Sequence, residues 1–286
     1  MEKLLADQLK ELWHSVVRQE LTAEAFQRLQ DRLMAGDAEV WKRALLLEGH
    51  QDLQESLLAE IGRYMACGDL AEIRRRCLHA VANVRREWQD KVNPHDRRSI
   101  EHFYDESQAM LYELMWWHTL SEDSTPLAYV TAWRFAQQQG CRHYLDFGSG
   151  VGSGAILFAR HGFQVTLADI STRLLRFSRW RFELRRLPAR YVDLSTSTLP
   201  RQAFDVVTAM DVFEHLSDPP ESVAHLWRAL KPGGFLFARI AAEPDEERPQ
   251  HIVQDFGPTF ERLQALGFVE VWRDEWLWGH QVFRKS

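Results

Sequence analysis

The segment His143-Tyr-Leu-Asp-Phe-Gly-Ser-Gly-Val-Gly-Ser-Gly-Ala155 places four glycines directly after a short apolar run. Residues 144–147 have the length and character of a buried strand, and the apolar residues 156–158 begin a helical pattern. A strand, a glycine-rich turn and a helix are the layout of a nucleotide site. Glycine lets a ligand approach the backbone, and the helix presents free N–H groups to it. The alternative is a tight turn without a ligand, for which four glycines are more than the turn needs.

Strands and helices alternate from residue 143 through residue 286. Apolar runs of strand length are separated by amphipathic segments, which predicts a doubly wound, mostly parallel sheet. The predicted strands are 143–147, 163–168, 189–192, 204–209, 235–240, 268–272 and 276–283, and the predicted helices are 152–161, 171–186, 219–230 and 259–266. In such a sheet the ligand lies at the carboxyl ends of the strands, near the point where the strand order reverses.

Acidic residues follow three of these strands at their carboxyl ends. Asp169 ends the second strand, where a carboxylate can accept hydrogen bonds from both hydroxyls of a ribose. The alternative role for Asp169 is a charge that stabilises the N-terminus of a helix. Asp193 ends the third strand, where an adenine amino group could reach it. Asp211, Glu214 and His215 follow the fourth strand, close to where a substrate would meet a cofactor.

A dinucleotide-binding fold is the first competing interpretation. The run Gly150-Val-Gly-Ser-Gly-Ala155 satisfies the glycine fingerprint of such folds, and Asp169 lies at a suitable distance from it. However, Asp146 stands two residues before Gly148, the first glycine of the loop. A carboxylate there would repel a pyrophosphate but could hold an ammonium or order the loop. Two further motifs disfavour a dinucleotide. The fourth strand is followed by Asp211-Val-Phe-Glu-His215, and the fifth is preceded by Leu230-Lys-Pro-Gly-Gly234.

Residues 121–286 resemble the class I S-adenosylmethionine-dependent methyltransferases, in particular the type 11 and ubiquinone-pathway O-methyltransferase cores. The resemblance implies an α/β fold with a Rossmann-like, seven-stranded sheet whose last strand is reversed. The motifs that carry it are Leu145-Asp-Phe-Gly-Ser-Gly-Val-Gly152, Leu167-Ala-Asp169, Phe204-Asp-Val-Val-Thr-Ala-Met-Asp-Val-Phe-Glu-His-Leu-Ser-Asp-Pro219 and Leu230-Lys-Pro-Gly-Gly234, in the family's order and spacing.

The resemblance also implies roles for individual residues around S-adenosylmethionine, whose product is S-adenosylhomocysteine. One set would surround the methionine part of the cofactor, and the others would contact its ribose, its adenine and the neighbourhood of its sulfonium. The methionine set is Asp146, Gly148, Ser149, Gly150 and Gly152; the ribose set is Asp169 and Ile170; the adenine set is Asp193 and Leu194; and Met210 borders the sulfonium.

Residues 1–95 have no counterpart in this resemblance, and we expect them to form a helical region ahead of a cofactor-binding domain at 96–286. The first 93 residues contain no proline, and their apolar residues recur at intervals of three and four, which predicts five amphipathic helices. Asn93-Pro94 ends the fifth, since a residue before proline avoids the helical conformation. We expect the region to be a lid on the domain or a surface for homodimerisation.

A further helix is predicted over residues 97–120, and its C-terminal end is dense in aromatic residues. Burial in the core is the ordinary role of such side chains. The alternative is that some of them face a ligand, and we take Tyr104 and Trp116 as candidate substrate-binding residues. A helix opened by Pro126 then leads to the first strand.

Two histidines are candidates for a catalytic base. Methyl transfer is an in-line displacement in which positioning supplies much of the rate, but a hydroxyl acceptor also needs a base near neutral pH. His215 follows the fourth strand and His251 lies after the fifth, and the alternative is that they only cap and pack their loops. With Asp211 and Glu214 they would also suit a divalent metal, which we do not favour because similar metal-binding motifs carry Glu where Asp211 stands.

Composition limits the remaining classes of function. The formal net charge is −6, which gives no general attraction to nucleic acid or anionic membranes, and the arginines of 173–190 fit a solvated helix face. Three scattered cysteines, no signal-peptide pattern and no long apolar run predict a cytoplasmic protein without a membrane span. We therefore expect methylation of a small molecule, with oxygen favoured as the acceptor. The alternatives are N- or C-methylation of a natural product or peptide, and a non-catalytic scaffold.

Overall fold

The computed structural model describes residues 4–242 and 246–286. Its helices before the sheet are α1 (Asp7–Val17), α2 (Ala23–Leu33), α3 (Ala35–Leu45), α4 (Leu53–Tyr64), α5 (Leu70–Leu78), α6 (Ala80–Lys91), α7 (Arg97–Glu106), α8 (Ala109–Trp117) and α9 (Ala128–Gln138). The sheet region contains β1 (His143–Phe147), α10 (Ser153–Arg160), β2 (Gln164–Asp169), α11 (Thr172–Leu184), β3 (Arg190–Asp193), β4 (Phe204–Ala209), α12 (Pro219–Ala229), β5 (Leu230–Arg239), α13 (Gly257–Ala265), β6 (Phe268–Arg273) and β7 (His280–Lys285).

The strands form one seven-stranded sheet in the order β3-β2-β1-β4-β5-β7-β6. Strands β1 to β5 pair in parallel, whereas β7 lies antiparallel to both β5 and β6. The α/β class and the seven-stranded sheet with a reversed last strand are thereby confirmed. The chain runs outward from β1 to β3 and then returns to β4 on the other side, so the strand order reverses between β1 and β4. A ligand of such a sheet binds outside the carboxyl ends of these two strands.

The described part of residues 1–95 contains six helices, α1 to α6, rather than the five predicted. The apolar pattern over residues 73–84 indicated one helix, but α5 ends at Leu78 and α6 begins at Ala80 with His79 between them. Side-chain caps mark helix starts, as where the Asp52 carboxylate accepts from the Glu55 N–H at 2.8 Å. The single helix predicted over 97–120 is likewise two, α7 and α8, separated by residues 107–108.

The N-terminal helices share a hydrophobic core with one face of the sheet. Trp41 of α3 is fully buried and stacks on Tyr129 of α9, with ring centroids 5.8 Å apart. Tyr64 at the end of α4 packs edge-on against Phe177 of α11 at 4.8 Å. The boundary at residue 95 stays a prediction, but residues on both sides of it belong to one cluster. Within the described ranges, no helix is both long enough and apolar enough to cross a bilayer.

Candidate functional site

The glycine loop between β1 and α10 has a backbone that other residues would strain. Gly148 and Gly150 have φ angles of +69° and +51°, in the left-handed region that side chains disfavour. A Cβ on Gly148 would lie 2.5 Å from a Val212 methyl carbon, and one on Gly150 would lie 2.9 Å from a Leu114 methyl carbon. The first contact comes from the loop after β4 and the second from α8, so two other elements approach the loop closely.

Asp169, at the end of β2, is tied to the glycine loop. Its Oδ2 accepts from the Gly150 N–H at 2.7 Å, and its Oδ1 accepts from the Ser171 N–H at 2.8 Å. Burial raises the pKa of this carboxyl, while these backbone donors lower it. Each carboxylate oxygen has a second lone pair, so Asp169 can still accept hydrogen bonds from a ligand.

Asp146 lies inside the protein beneath the glycine loop. Its Oδ2 accepts from the Ala155 N–H at 3.1 Å, and its Oδ1 accepts from the Thr208 hydroxyl at 3.2 Å and the Tyr129 hydroxyl at 3.4 Å. Burial raises the pKa of Asp146 to about 7, although the hydrogen bonds from Thr208 and Ala155 lower it. Of the two roles open to this residue, contact with a ligand ammonium or ordering of the loop, the geometry fits ordering.

A cavity of about 780 Å³ opens at the carboxyl ends of β1, β2 and β4, where the strand order predicts a ligand. The predicted cofactor residues that line it are Gly148, Ser149, Gly150, Asp169, Ile170, Leu194 and Met210. Those that lie outside its lining are Asp146, Gly152 and Asp193.

Gly152 and Asp193 contact the protein rather than the cavity. A Cβ on Gly152 would lie 2.9 Å from a Leu167 methyl carbon, so this glycine allows α10 to pack closely on the sheet. Asp193 Oδ1 accepts from the Ser195 N–H at 2.9 Å, which shapes the turn that presents Leu194 to the cavity. The predicted contacts of Gly152 and Asp193 with a cofactor stay predictions.

His215 lies in the 3₁₀ turn after β4 and lines the cavity with His251 and Tyr104. Its Nδ1 lies 3.0 Å from the Gln250 carbonyl oxygen, which can only accept, so Nδ1 carries the proton in the neutral ring. The Tyr104 hydroxyl oxygen is 3.1 Å from the same nitrogen. Burial lowers the pKa of His215 to about 3. The ring is therefore neutral near pH 7, and its Nε2 has a lone pair that can accept a proton.

Three of the four residues considered for a metal come together. Potential ligand atoms of Glu214, His215 and His251 all lie within 4.8 Å of one another, so this group could hold a divalent cation. Asp211 instead accepts from Arg239 Nη1 at 2.9 Å, in a left-handed conformation with φ +49°. That ion pair directs the Asp211 carboxylate toward β5.

The aromatic candidates divide between the cavity and the core. Tyr104 lines the cavity, whereas Trp116 is buried in the hydrophobic core and lies outside the lining. The neighbouring Trp117 lines the cavity in its place. The helical period explains this difference, because adjacent residues on a helix point about 100° apart.

Three charged residues at the cavity escaped the sequence interpretation. Arg239 ends β5, so its position at the carboxyl end of a parallel strand could have indicated it. Glu113 and Arg248 approach each other at 3.8 Å from α8 and the loop after β5. No local pattern marks these two, because they are far apart in sequence.

A buried ion pair connects the N-terminal helices to the glycine loop. Arg181 of α11 donates to the Val151 carbonyl at 2.7 Å and to the Ser153 hydroxyl at 2.8 Å. Its Nε also donates to Glu60 of α4 at 2.7 Å, and Arg185 Nη1 donates to the same carboxylate at 2.9 Å. The side chains of Glu60 and Arg181 have no exposed surface. The loop is thus held from behind by a guanidinium whose counter-charge comes from α4.

The sequence of this chain is similar to those of known methyltransferases. Residues 145–238 match the family model described as a methyltransferase domain. The chain is 35% identical over 98 residues to the ubiquinone biosynthesis O-methyltransferase of Coxiella burnetii (strain RSA 493 / Nine Mile phase I), covering 34% of this chain and 42% of that protein. It is 33% identical over 135 residues to the enzyme of the same name from Paracidovorax citrulli, covering 43% and 55%. These alignments span about half or less of the length of those relatives.

More distant similarities extend over more of the chain. Phosphoethanolamine N-methyltransferase 1 of Zea mays is 25% identical over 225 residues, covering 69% of this chain and 43% of that protein. The solved structure of the N-methyltransferase NodS from Bradyrhizobium japonicum WM9 is 19% identical with a TM-score of 0.44, covering 56% of this chain and 94% of that chain.

The sheet order, the glycine loop and the family match together define the class of protein. The chain carries a class I S-adenosylmethionine-dependent methyltransferase domain. Its matched core, residues 145–238, runs from β1 to β5 and contains the glycine loop, Asp169 and the turn with His215.

Proposed function

We propose that this chain binds S-adenosylmethionine in the cavity and transfers its methyl group to a small-molecule acceptor, with an oxygen as the favoured acceptor atom. The observation that carries the proposal is the glycine loop facing the cavity, with Asp169 bonded to it at 2.7 Å. The side chains also fit the cofactor, because Ser149 Oγ is a buried polar atom without a partner among the described residues. A ligand on the loop would supply that partner.

Each part of the cofactor has matching groups in the cavity. Residues 148–150 offer close backbone approach, Asp169 offers acceptor oxygens for hydroxyls, and Leu194 and Ile170 offer apolar contacts. Met210 directly follows β4 and lines the same cavity as His215. Bound S-adenosylmethionine would supply a methyl group already activated on a sulfonium.

His215 is the general base in this proposal. With Nδ1–H directed at the Gln250 carbonyl, Nε2 accepts the proton of an acceptor hydroxyl as the carbon–oxygen bond forms. Bound S-adenosylmethionine would supply the methyl group for this bond and would leave as S-adenosylhomocysteine. Tyr104 and the Gln250 carbonyl hold the imidazole in place from its Nδ1 side.

Two measurements test the proposal. Isothermal titration with S-adenosylhomocysteine should give saturable binding to the purified protein, and cell extract incubated with labelled S-adenosylmethionine should give a labelled product only when the protein is present. His215→Asn should keep cofactor binding but lower the turnover rate by about 10²–10⁴-fold, the usual contribution of a general base. His102→Asn, at an exposed position of α7, is the matched control.

Other outcomes separate the alternatives. Absence of binding at millimolar cofactor would refute the proposal, whereas binding without turnover would favour a scaffold. An unchanged rate in His215→Asn would point to an acceptor that needs no base, such as a neutral amine. Loss of the rate on chelation with recovery on adding a divalent cation would assign Glu214, His215 and His251 to a metal instead.

A further inference from the structure

Four residues that line the cavity carry buried polar atoms without a hydrogen-bond partner in the described part of the chain. These atoms are Glu113 Oε2, both ring nitrogens of His118, Ser149 Oγ and Gln250 Oε1. Leaving a buried polar atom unpaired costs free energy, so ligands that pair with these atoms are favoured. Glu113 is the acidic member of the group, and the methyl transfer described above does not use it.

Glu113 lies on α8 and lines the same cavity as the glycine loop and His215. It precedes Leu114, whose methyl carbon covers Gly150. Its Oε1 lies 3.8 Å from Arg248 Nε, in the loop whose Gln250 carbonyl contacts His215. A separation of 3.8 Å is too long for a hydrogen bond, so Arg248 neutralises the carboxylate loosely. Oε2 is buried and has no hydrogen-bond partner among the described residues.

We propose that Glu113 forms a subsite for a protonated amine, which donates a hydrogen bond to Oε2. A carboxylate oxygen only accepts, so the matching ligand group is a donor, and a cationic donor makes the stronger bond. Tyr104, Trp117 and Trp278 line the same cavity, and aromatic faces attract cations. An anionic group at this position would be repelled. The inference rests on the proposed function and deepens it by naming the group that the cavity recognises.

The surroundings of Glu113 allow its carboxyl group to gain or lose a proton near pH 7. Burial raises the pKa of Glu113 to about 7; Arg248 lowers it, and Glu122 raises it. The Tyr104 phenol faces it from α7, and its own pKa is raised by burial and by Glu214 and Glu113. An ammonium beside Glu113 favours the ionised carboxylate, so binding near pH 7 releases a proton from the protein.

A protonated amine could belong to either of two molecules. One source is an amine on the methyl acceptor, which need not be the methylated atom. The other is the amino-acid end of the cofactor itself. Both would make the same hydrogen bond to Oε2, and ligands with and without an amine distinguish them.

Calorimetry on the full chain tests the subsite with defined probes. In the cofactor arm, S-adenosylhomocysteine is compared with 5′-methylthioadenosine, which lacks the amino-acid end. In the acceptor arm, 2-phenylethylamine is compared with 2-phenylethanol on protein saturated with S-adenosylhomocysteine. Both arms are repeated with Glu113→Gln and with the matched control Glu261→Gln, which removes an exposed carboxylate of α13 outside the cavity lining. Buffers of different ionisation enthalpy report the proton released on binding.

Glu113→Gln should weaken the amine-bearing probe of one arm at least about tenfold and abolish its proton release, because a hydrogen bond to a charged group is lost. Binding of the probe without an amine should be unaffected by Glu113→Gln, and binding of both probes should be unaffected by Glu261→Gln. Weaker 2-phenylethylamine binding assigns the amine to the acceptor, and weaker S-adenosylhomocysteine binding assigns it to the cofactor. Unchanged binding in both arms would overturn the subsite. Failure of the wild-type protein to bind either cofactor probe would instead refute the proposed function.

Discussion

Single glycines in the segment 148–154 perform different tasks, although the sequence alone presents them as one motif. Gly148 has a φ of +69° and lines the cavity. Gly154 lies inside α10, where a Cβ would overlap the Tyr129 ring. The first serves the ligand site, and the second allows α9 to pack on α10. Substitution should therefore separate cofactor affinity from stability.

Gly154→Ala should lower the free energy of unfolding by about 1–3 kcal/mol, because overpacking against Tyr129 outweighs the better helix propensity of alanine. Gly148→Ala should instead weaken S-adenosylhomocysteine binding, because its Cβ would displace Val212 at the cavity and strain the loop. Urea unfolding and calorimetric titration of both variants measure the two effects. Equal losses of affinity in the two proteins would contradict this division.

How far the sequence predicts the site differs from residue to residue. The strand ends Asp169 and Met210 could be placed at the cavity because the carboxyl ends of parallel strands share one edge. The resemblance implied a cofactor contact for Asp146, whose side chain is fully buried and lies outside the cavity lining. Side chains alternate between the two faces of a strand, and sequence does not say which face the ligand loop covers. Glu113 could not be predicted, because tertiary packing alone brings α8 to the loop after β5.

At the scale of elements, α4 and α11 are joined by the buried Glu60 carboxylate and two arginines. Burial would raise the pKa of Glu60, but Arg181 and Arg185 outweigh it and hold the pKa below its ordinary value of 4.5. Burial also lowers the pKa of Arg181, yet a guanidinium remains charged. The pair therefore stays ionised at neutral pH and supports the Val151 carbonyl from behind.

Glu60→Gln should lower the free energy of unfolding by about 3–5 kcal/mol at pH 7, because it leaves buried guanidinium charge without a counter-ion. It should also weaken cofactor binding, since Arg181 no longer holds the glycine loop in one position. Glu55→Gln, on an exposed position of the same helix, is the control for urea unfolding and cofactor titration. A loss of stability without any loss of affinity would show that the pair is structural only.

The pH dependence of stability gives a second measure of the same pair. Because the pKa of Glu60 is lower in the folded chain than its ordinary value of 4.5, its contribution is present above pH 4.5. That contribution is lost as the pH falls through the lowered pKa. Between pH 7 and pH 3, wild-type stability should therefore decline more steeply than that of Glu60→Gln. Parallel declines in the two proteins would contradict the pKa direction.

At the scale of the whole molecule, the sequence suggests two parts, whereas the packing joins them. The absence of recognisable motifs in residues 1–95 favoured a lid or a dimerisation surface, and dimerisation stays a prediction. Local patterns predict helices well but do not show what an apolar face packs against. Here Trp41 is fully buried against Tyr129, and its indole N–H donates to the His118 carbonyl at 3.0 Å. A region that supplies core and counter-charge to the sheet should unfold with it.

We therefore expect the intact chain to unfold in one cooperative calorimetric transition, and a fragment of residues 96–286 to lack a stable fold. Removing residues 1–95 would expose the Tyr129 and Phe177 surfaces and leave Arg181 buried without Glu60. Co-expression of the two fragments should restore S-adenosylhomocysteine binding if that interface is the cause. Conversely, a sharp transition and full cofactor affinity in the fragment 96–286 alone would show that residues 1–95 are a detachable lid, as the sequence by itself suggests.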